Sequence, residues 1–318
     1  MSTPFALTIL GISSAIPTRN RQPTAQILNV NDQLFLIDCG EATQIQLRRL
    51  KIRYNKINHI FISHLHGDHY LGLLGLISSM HLEGRTGPLY IYCPKGLDEI
   101  INIQLKYSQT KLNFPIHFSE TIDSVSYKIF ENEEIDVYTI PLKHRIPCCG
   151  YLFREKLKVR KILKEKIIKY NIPKEILSNI KKGSSFETID GLVIPNHELT
   201  TSPPIPRSFA YCSDTAYFEE VIPTIYESDM LYHEATFMQE HIQRAHETWH
   251  STTLEAATIA LKANVKQLII GHFSARYNDL LPLVEEAKTI FENSILAMEG
   301  VTYPINRTEK IKQVEQHT

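Results

Sequence analysis

Short apolar runs, separated by turn residues, recur along the first hundred residues. They read "LTILG", "QLFLIDCG", "HIFISH" and "LYIYCP". Stretches with the wider apolar spacing of helices lie among them and after them, at 41–53, 252–263 and 283–291. Strands that alternate with helices indicate a layered α/β fold. Because Gly, Pro and Asn turns join the early runs closely, we expect much of their sheet to be mixed or antiparallel.

The stretch "FISHLHGDHYLGL" breaks this pattern by placing four polar side chains within six residues, directly after an apolar run. These are His64, His66, Asp68 and His69. Imidazole nitrogens and carboxylates suit Zn²⁺ or a similar divalent ion. A solvated loop with chance histidines is the alternative, which four clustered ligands disfavour. Gly67 is expected to give this loop an unusual backbone conformation.

Three further ligand types follow apolar runs downstream. "VYTIPLKH" ends in His144, "SFAYCSD" in Asp214 and "KQLIIGH" in His272. Residues at strand ends converge at one rim of an α/β sheet, so we expect these side chains to meet the cluster. Seven ligands exceed what one tetrahedral ion accepts and suit two ions, with Asp214 as the bridging carboxylate.

Charge is distributed unevenly over the 318 residues, although the formal net charge is only −1. Residues 154–182 hold eleven Lys or Arg against three acids, a local charge of +8, and the remainder carries −9. The stiff "TTSPPIPR" that follows is expected to act as a hinge back to the main fold. This pattern predicts an inserted basic arm. Its apolar residues indicate a small helical unit, and they include Leu157, Val159, Ile162, Leu163, Ile167 and Ile168.

Composition narrows the function classes further. Apolar and charged fractions are ordinary for a globular protein, which disfavours global disorder. No window is long and apolar enough for a membrane span, and "MSTPFALTILG" lacks the features of a secretory signal. The five cysteines show no CxxC spacing, so we expect buried, reduced thiols and a cytoplasmic location.

Several further stretches carry a specific resemblance. They are "GISSAIPTRNR", "LIDCGEATQIQL", "CPKG", "HEAT", "HSTT" and "HFSARY". Together with the ligand pattern they resemble the metallo-β-lactamase superfamily and, within it, the ribonuclease Z family of tRNA 3′-processing endonucleases. The resemblance extends from about Leu7 to about Pro304. The chain departs from it in the arm, where relatives commonly carry Gly-Pro and this sequence reads Lys174-Glu175-Ile176.

The resemblance implies an α/β fold of the metallo-β-lactamase type, a four-layer αββα sandwich with an inserted basic arm. The catalytic core would comprise 1–150 and 206–306, the tRNA-binding arm 151–205, and a polar tail 307–318. One zinc ion would bind His64, His66 and His144, the other would bind Asp68, His69 and His272, and Asp214 would bridge them. Arm residues expected to contact the substrate are Arg154, Lys156, Lys158, Arg160, Lys161, Lys164, Lys166, Lys169, Lys181 and Lys182.

Catalytic roles can be assigned on the same basis. Asp68 is expected to act as general base, with a role as ligand only as the alternative. His250, oriented by Glu234, is expected to protonate the departing 3′-oxygen, and a surface histidine beside Trp249 is the alternative. The remaining histidines are expected to be ordinary residues: His59, His81, His117, His197, His241, His246 and His317.

The resulting hypothesis is a zinc-dependent endoribonuclease that removes the 3′ trailer from precursor tRNA. It would leave a 3′-hydroxyl on the tRNA and a 5′-phosphate on the trailer. Two Zn²⁺ per subunit are expected, with Mn²⁺ or another divalent ion as the alternative, and the resemblance favours a homodimer that does not bind membranes. Two rivals remain: a hydrolase of small phosphodiesters or thioesters on the same fold, and a non-catalytic tRNA-binding protein.

Overall fold

The computed structural model describes residues 4–307, and within them the chain forms two compact units. The core unit runs to Arg154 and resumes at Arg207–Asn306, and the arm unit consists of Glu155–Pro206 with Arg307. Of the predicted C-terminal tail, only Arg307 lies among the described residues. The assignment of catalysis and tRNA binding to separate units stays a prediction.

Two seven-stranded sheets form the core unit. The first contains β1 Phe5–Gly11, β2 Ala25–Val30, β3 Gln33–Cys39, β4 Ile57–Phe61, β5 Leu89–Cys93, β6 Ile116–Glu120 and β18 Thr302–Pro304. The second contains β7 Lys128–Glu131, β8 Ile135–Pro141, β9 Cys149–Glu155, β14 Ser208–Cys212, β15 Met230–Glu234, β16 Leu268–Gly271 and β17 Ser294–Leu296.

Both sheets are mixed. In the first, ordered β18-β1-β2-β3-β4-β5-β6, the pairs from β18 to β3 are antiparallel and those from β3 to β6 are parallel. In the second, ordered β17-β16-β15-β14-β9-β8-β7, the strands from β17 to β14 are parallel and β9 is antiparallel to β14. The expected mixed character of the early sheet is therefore confirmed.

Helices pack on the outer faces of the two sheets. In the core unit they are α1 Thr43–Arg49, α2 Gly67–Tyr70, α3 Leu73–Leu82, α4 Leu97–Tyr107, α8 Ile222–Ile225, α9 Ile242–Thr248, α10 Thr253–Lys262 and α11 Leu281–Lys288. Short 3₁₀ turns occur at Tyr54–Lys56, Glu219–Val221 and Gln239–His241. The three helices predicted from the apolar spacing are present as α1, α10 and α11, and each is shorter than its predicted range.

Alternation of side chains along the strands produces separate apolar layers. Phe35 and Phe61 face the second sheet, where their ring centroids lie 5.8 Å and 5.3 Å from that of Phe153. Leu36 and Ile60 point the other way, into the layer covered by α1, α3 and α4. Each fully buried side chain of this size stabilises the fold by about 1.5–3 kcal/mol. The two sheets thus enclose the main core, and helices cover their outer faces.

The five cysteines agree with their prediction, because all are buried and none is paired. Burial raises the pKa of Cys39 and of Cys149 to about 12, so these thiols stay protonated at neutral pH. Within residues 4–307, no helix combines the length and the apolar character needed to cross a bilayer.

The arm unit has its own secondary structure and a small core. Its elements are β10 Lys161–Ile162, α5 Lys164–Lys169, a 3₁₀ turn at Lys174–Ile176, α6 Leu177–Lys181, β11 Phe186–Glu187, β12 Val193–Ile194, α7 Asn196–Leu199 and β13 Thr200–Thr201. β10 pairs with β13 and β11 with β12, both antiparallel. The buried residues of its core are Ile162, Ile172, Ile180, Ile194 and Leu199.

The structure corrects three expectations about the arm. The unit is not purely helical, since it contains two small antiparallel β ladders. Of the apolar residues that indicated the unit, Ile162 is buried in its core and Ile167 packs against that core, whereas Leu157, Val159 and Ile168 are exposed. Arg154, predicted as an arm residue, belongs to β9 of the core, where it is paired with Ser208.

Candidate metal centre

The seven predicted ligands come together where several strands end. His64 follows β4 by three residues, Asp214 follows β14 by two, and His272 directly follows β16. Since β14, β15 and β16 are parallel neighbours, their carboxyl ends share one edge of the second sheet. Asp68 and His69 lie on α2, and His144 lies just beyond β8.

Glycine contacts hold the α2 loop against the first sheet. A Cβ at Gly40 would lie 2.4 Å from the carbonyl oxygen of Asp68, and one at Gly72 would lie 2.0 Å from that of Gly40. Only glycine permits this close approach. The expectation for Gly67 was wrong: it begins the right-handed α2, and the left-handed residues of the site are elsewhere.

The first donor group consists of His64, His66, His144 and Asp214. His66 Nδ1 lies 3.0 Å from His64 Nε2 and 3.1 Å from His144 Nε2. The Oδ2 atom of Asp214 is 3.6 Å from His64 Nε2 and 4.0 Å from His144 Nε2. His66 therefore presents its Nδ1 to the group, whereas the other two histidines present Nε2.

The second donor group consists of Asp68, His69, Asp214 and His272. His69 Nε2 lies 3.4 Å from Asp68 Oδ2 and 3.3 Å from Asp214 Oδ1. His272 Nε2 lies 3.3 Å and 3.2 Å from the same two atoms. Asp214 thus turns one carboxylate oxygen toward each group, the arrangement a bridging ligand requires.

These spacings fit divalent ions. A tetrahedral ion with bonds of 2.0–2.1 Å separates its ligand atoms by about 3.3 Å, close to most distances in both groups. In addition, His69 Nε2 and Asp214 Oδ1 are buried without a hydrogen-bond partner among residues 4–307. Orphaned buried polar atoms are rare in native proteins, and a cation would satisfy both.

Hydrogen bonds to the outer imidazole nitrogens orient the ligands. His69 Nδ1 donates to Asp38 Oδ2 at 2.8 Å, and His144 Nδ1 donates to the carbonyl of Trp249 at 2.9 Å. His272 Nδ1 is 2.9 Å from Thr236 Oγ1, whose own proton is directed to Glu234. Each contact fixes the tautomer that leaves an Nε2 lone pair directed into the site.

The electrostatics of the donor groups favour a bound cation. Burial alone would raise the pKa of Asp214, but the surrounding imidazoles, foremost His272 and His69, hold it well below its usual range. Burial works against a charged His69, yet the carboxylates of Asp214, Asp68 and Asp38 raise its pKa well above the ordinary value. The three carboxylates therefore demand a cation here, either a proton on His69 or a metal ion.

His250 and Glu234 form a pair beside the donor groups. His250 Nδ1 lies 2.9 Å from Glu234 Oε1, and both side chains are buried. Burial opposes a charged imidazole, but Glu234 and Asp214 outweigh it and raise the pKa of His250 to about 9. A protonated His250 whose orientation is fixed by Glu234 matches the geometry expected of a general acid.

Glu234 and His250 also group with His272 within reach of a single ion. The contacts of Glu234 argue against that use. Its Oε1 accepts from the backbone of Thr215 and Ser251 as well as from His250, and its Oε2 accepts twice from Thr236. With five donors the carboxylate is already satisfied, so it suits a positioning residue better than a ligand.

The histidines predicted to be ordinary do not join either donor group among the described residues. His59, for example, stacks on Tyr90 of the first sheet and contacts the tilted ring of Phe130. His317 lies outside the described residues.

Two comparisons with known sequences bear on the family of this chain. A family model described as "Anti-Pycsar protein Apyc1" matches residues 5–161. A ribonuclease Z from Parabacteroides distasonis is 48% identical over 297 residues, which cover 93% of this chain and 98% of the relative. The chain belongs to the ribonuclease Z family. Membership confirms the predicted enzyme class, a metal-dependent endonuclease that cleaves phosphodiesters.

Solved structures confirm the predicted fold of this family member. Human tRNase Z, short form, superposes with a TM-score of 0.69 at 27% identity, covering 95% of this chain and 99% of the human one. The metallo-β-lactamase fold protein YhfI from Bacillus subtilis gives a TM-score of 0.67 at 19% identity, covering 95% and 100%. The second match concerns the fold alone.

Sequence reasoning missed several residues that orient the ligands. Asp38 is fully buried and accepts from Ser63, His69 and Tyr211. It stands in the family-like stretch "LIDCGEATQIQL", and an acid inside an apolar run is itself a signal, because buried acids are almost always paired. Thr236, the last residue of "HEAT", gave no such signal, since its role depends on a contact with His272, which lies 36 residues further along the chain.

Proposed function

We propose that this chain is a zinc-dependent endoribonuclease that removes the 3′ trailer from precursor tRNA. Cleavage would leave a 3′-hydroxyl on the tRNA and a 5′-phosphate on the trailer. The observation that carries the proposal is the pair of donor groups sharing Asp214, with His250 and Glu234 beside them. Family membership adds the substrate class, since the relatives are tRNA-processing ribonucleases.

Two bound divalent ions supply Lewis acidity and neutralise charge on the phosphodiester. Zn²⁺ suits a site with five imidazoles and two carboxylates, and Mn²⁺ is the alternative. His64, His66, His144 and Asp214 would hold one ion, and Asp68, His69, His272 and Asp214 the other.

Asp68 is proposed to accept the proton of the attacking water. Its Oδ2 is held by the backbone N–H of Ala15 at 2.7 Å. Burial would raise the pKa of Asp68, but His69 and His272 keep it well below the usual range, so the carboxylate is available as a base. The short bond to Ala15 prevents the side chain from rotating away.

His250 is proposed to donate the proton that the departing 3′-oxygen requires. Its Nδ1 is engaged by Glu234, so Nε2 is the nitrogen free to face the substrate. After the transfer His250 is a neutral imidazole, and Glu234 favours its reprotonation by solvent because the carboxylate stabilises the imidazolium.

The arm is proposed to grip the tRNA through backbone phosphates. Over Glu155–Pro206 there are ten lysines or arginines and six acids, and the surplus lies entirely before Gly183. Lys161, Lys164 and Lys169 are exposed there. Tertiary RNA is recognised largely by shape and phosphates, which a cationic surface of this kind suits.

A homodimer and a cytoplasmic location complete the proposal. The first rests on the family resemblance, and the second on five unpaired, buried cysteines. Mixing armless subunits with Asp68→Ala subunits tests a dimer in which one subunit's arm serves the other's site. Heterodimers should then recover activity that neither homodimer shows.

The test of the function itself is elemental analysis of the purified protein combined with cleavage of a 3′-extended tRNA and end-group analysis. We expect about two divalent ions per chain, a 3′-hydroxyl on the tRNA and a 5′-phosphate on the trailer. Efficient hydrolysis of small phosphodiesters or thioesters with no cut in the tRNA would favour the small-substrate hydrolase. Binding without cleavage would favour the non-catalytic protein.

A further inference from the structure

Trp249, the only tryptophan of the chain, has a backbone that a bulky residue rarely adopts. It lies at the end of α9 with φ 60° and ψ 46°, in the left-handed region. The carbonyl oxygen accounts for this backbone, because it accepts from Nδ1 of the candidate ligand His144. The indole ring is not needed for that contact, and the residue is 39% exposed.

The ring lines a cleft of about 340 Å³ together with Lys143, Ala216, Tyr217, His246 and Glu255. Two of its lining residues are next in sequence to residues of the metal centre, since Lys143 precedes His144 and Trp249 precedes His250. Hydrogen bonds of 2.8 Å from Ala216 N to the Lys143 carbonyl and of 3.0 Å from Lys143 N to Thr215 join two of the walls.

The chemistry of the cleft suits a nucleobase. Lys143 Nζ lies over the Trp249 ring, 6.0 Å from its centre, so the cleft combines an aromatic ring with a positive charge. Tyr217, fixed through its hydroxyl by Glu219 at 2.5 Å, adds a second ring. Aromatic faces beside a positive charge are the elements with which proteins bind single-stranded RNA.

We propose that Trp249 stacks on the base of the nucleotide whose 3′-oxygen leaves during cleavage. The choice of nucleotide rests on the proposed function, in which His250, the next residue, protonates that oxygen. The strained backbone at Trp249 then has two consequences: its carbonyl orients His144, and its ring positions the last nucleotide retained in the tRNA. Trp249 is in this sense a positioning residue for substrate.

The single tryptophan permits a direct test by intrinsic fluorescence. Full-length Asp68→Ala protein is titrated with 3′-extended tRNA, and anisotropy of the labelled RNA reports binding independently. Emission should be quenched by the intact RNA and by RNA abasic at the first trailer nucleotide. It should not be quenched by RNA abasic at the last retained nucleotide. Binding without quenching, or quenching that is lost only with the trailer abasic site, would overturn the proposal.

Variants give a second readout. Trp249→Asn removes the ring but tolerates the left-handed backbone, and it should weaken binding of the intact RNA about 5- to 100-fold. Binding of the RNA abasic at the last retained nucleotide should hardly change. Trp249→Phe should restore most of the affinity, and Tyr107→Ala serves as the control for losing an exposed aromatic ring. Equal affinity of Trp249→Asn and the parent protein would contradict stacking.

Metal content separates this role from a purely structural one. If Trp249→Asn loses metal, its carbonyl contact to His144 has been disturbed, and its RNA affinity no longer reports on stacking. The fluorescence titration of the Asp68→Ala protein, which retains Trp249, then decides whether the ring stacks. Failure of the proposed function can be told apart from failure of the stacking proposal. A protein that neither binds nor cuts 3′-extended tRNA gives no change in the anisotropy of the labelled RNA.

Discussion

The core unit and the arm unit use side chains in opposite ways. The core buries its chemically active residues: His64, His69 and Asp214 are at most 2% exposed and held by a double layer of strands. The arm exposes its charges around a core of five buried apolar residues. Ligand geometry tolerates deviations of only tenths of an ångström, whereas phosphate contacts act over several ångströms, so only the first task requires a large rigid frame.

The two units also differ in the backbone strain that they contain. In the arm, the residues with left-handed φ are Asn171, Gly183 and Gly191, types that adopt this conformation at low cost. In the core, three residues of less tolerant types have left-handed φ within or beside the donor groups. They are Ala15, Trp249 and His272. Strain of about 1–3 kcal/mol per residue persists only where the surrounding packing compensates for it, as it does at functional sites.

The largest effect is expected from Asp214→Ala, because one side chain serves both donor groups. Activity should fall by at least about 10³-fold, and elemental analysis should show that both ions are lost. His144→Ala should release chiefly one. Asp229→Asn, which changes a buried carboxylate at the opposite end of β15, is the control and should retain both ions. Full metal occupancy in Asp214→Ala would exclude the bridge.

Asp68→Ala should separate chemistry from binding. Without the base and ligand, cleavage should fall by at least about 10³-fold. Affinity for precursor tRNA should stay within about threefold, because phosphate contacts made elsewhere dominate it. Asp68→Asn can still accept from Ala15 but takes up no proton, so it should lose activity similarly. A parallel loss of affinity, measured by filter binding, would place tRNA recognition at the core instead.

His250→Ala should have a smaller and substrate-dependent effect. Cleavage of tRNA should slow by about 10²- to 10³-fold, because its 3′-oxygen leaves only when protonated. A p-nitrophenyl phosphodiester should be affected far less, since nitrophenolate needs no proton. His81→Ala, on the outer helix α3, serves as the histidine control. Equal losses with both substrates would refute the general-acid role.

Ile180→Ala should have the smallest effect on catalysis and a local effect on stability. Ile180 is 1% exposed in the arm core, so truncation should destabilise that unit by about 2–5 kcal/mol. Amide hydrogen exchange should speed up within the arm and not in the core strands. Ile168→Ala, at 77% exposed, is the matched control and should change stability by less than about 0.5 kcal/mol. Faster exchange throughout the core would show that the units unfold together.

The ligands at the ends of strands could be predicted from the sequence. Apolar runs that end in ligand types identified the strand ends around His144, Asp214 and His272, because strand order brings such ends to one edge. Asp38 was missed although an acid inside an apolar run is a signal, because its partners His69 and Tyr211 lie far along the chain. Thr236 was missed because its partner His272 follows it by 36 residues. In the arm, apolar character alone could not separate Ile162, which is buried in the small core, from Leu157, Val159 and Ile168, which are exposed.

Replacing residues 156–206 by Asn-Gly tests the division between the two units most directly. Arg154 and Ser208 are antiparallel partners, so a two-residue hairpin can close β9 onto β14 without disturbing any of the seven ligands. Hydrolysis of a small phosphodiester should stay within about threefold of the parent value, while precursor tRNA binding should weaken at least about 10²-fold. The parent protein's log–log salt slope of about −3.5 to −4.5, for roughly five phosphates, should become much shallower. An armless protein that processes precursor tRNA with the parent's efficiency and salt dependence would contradict the account.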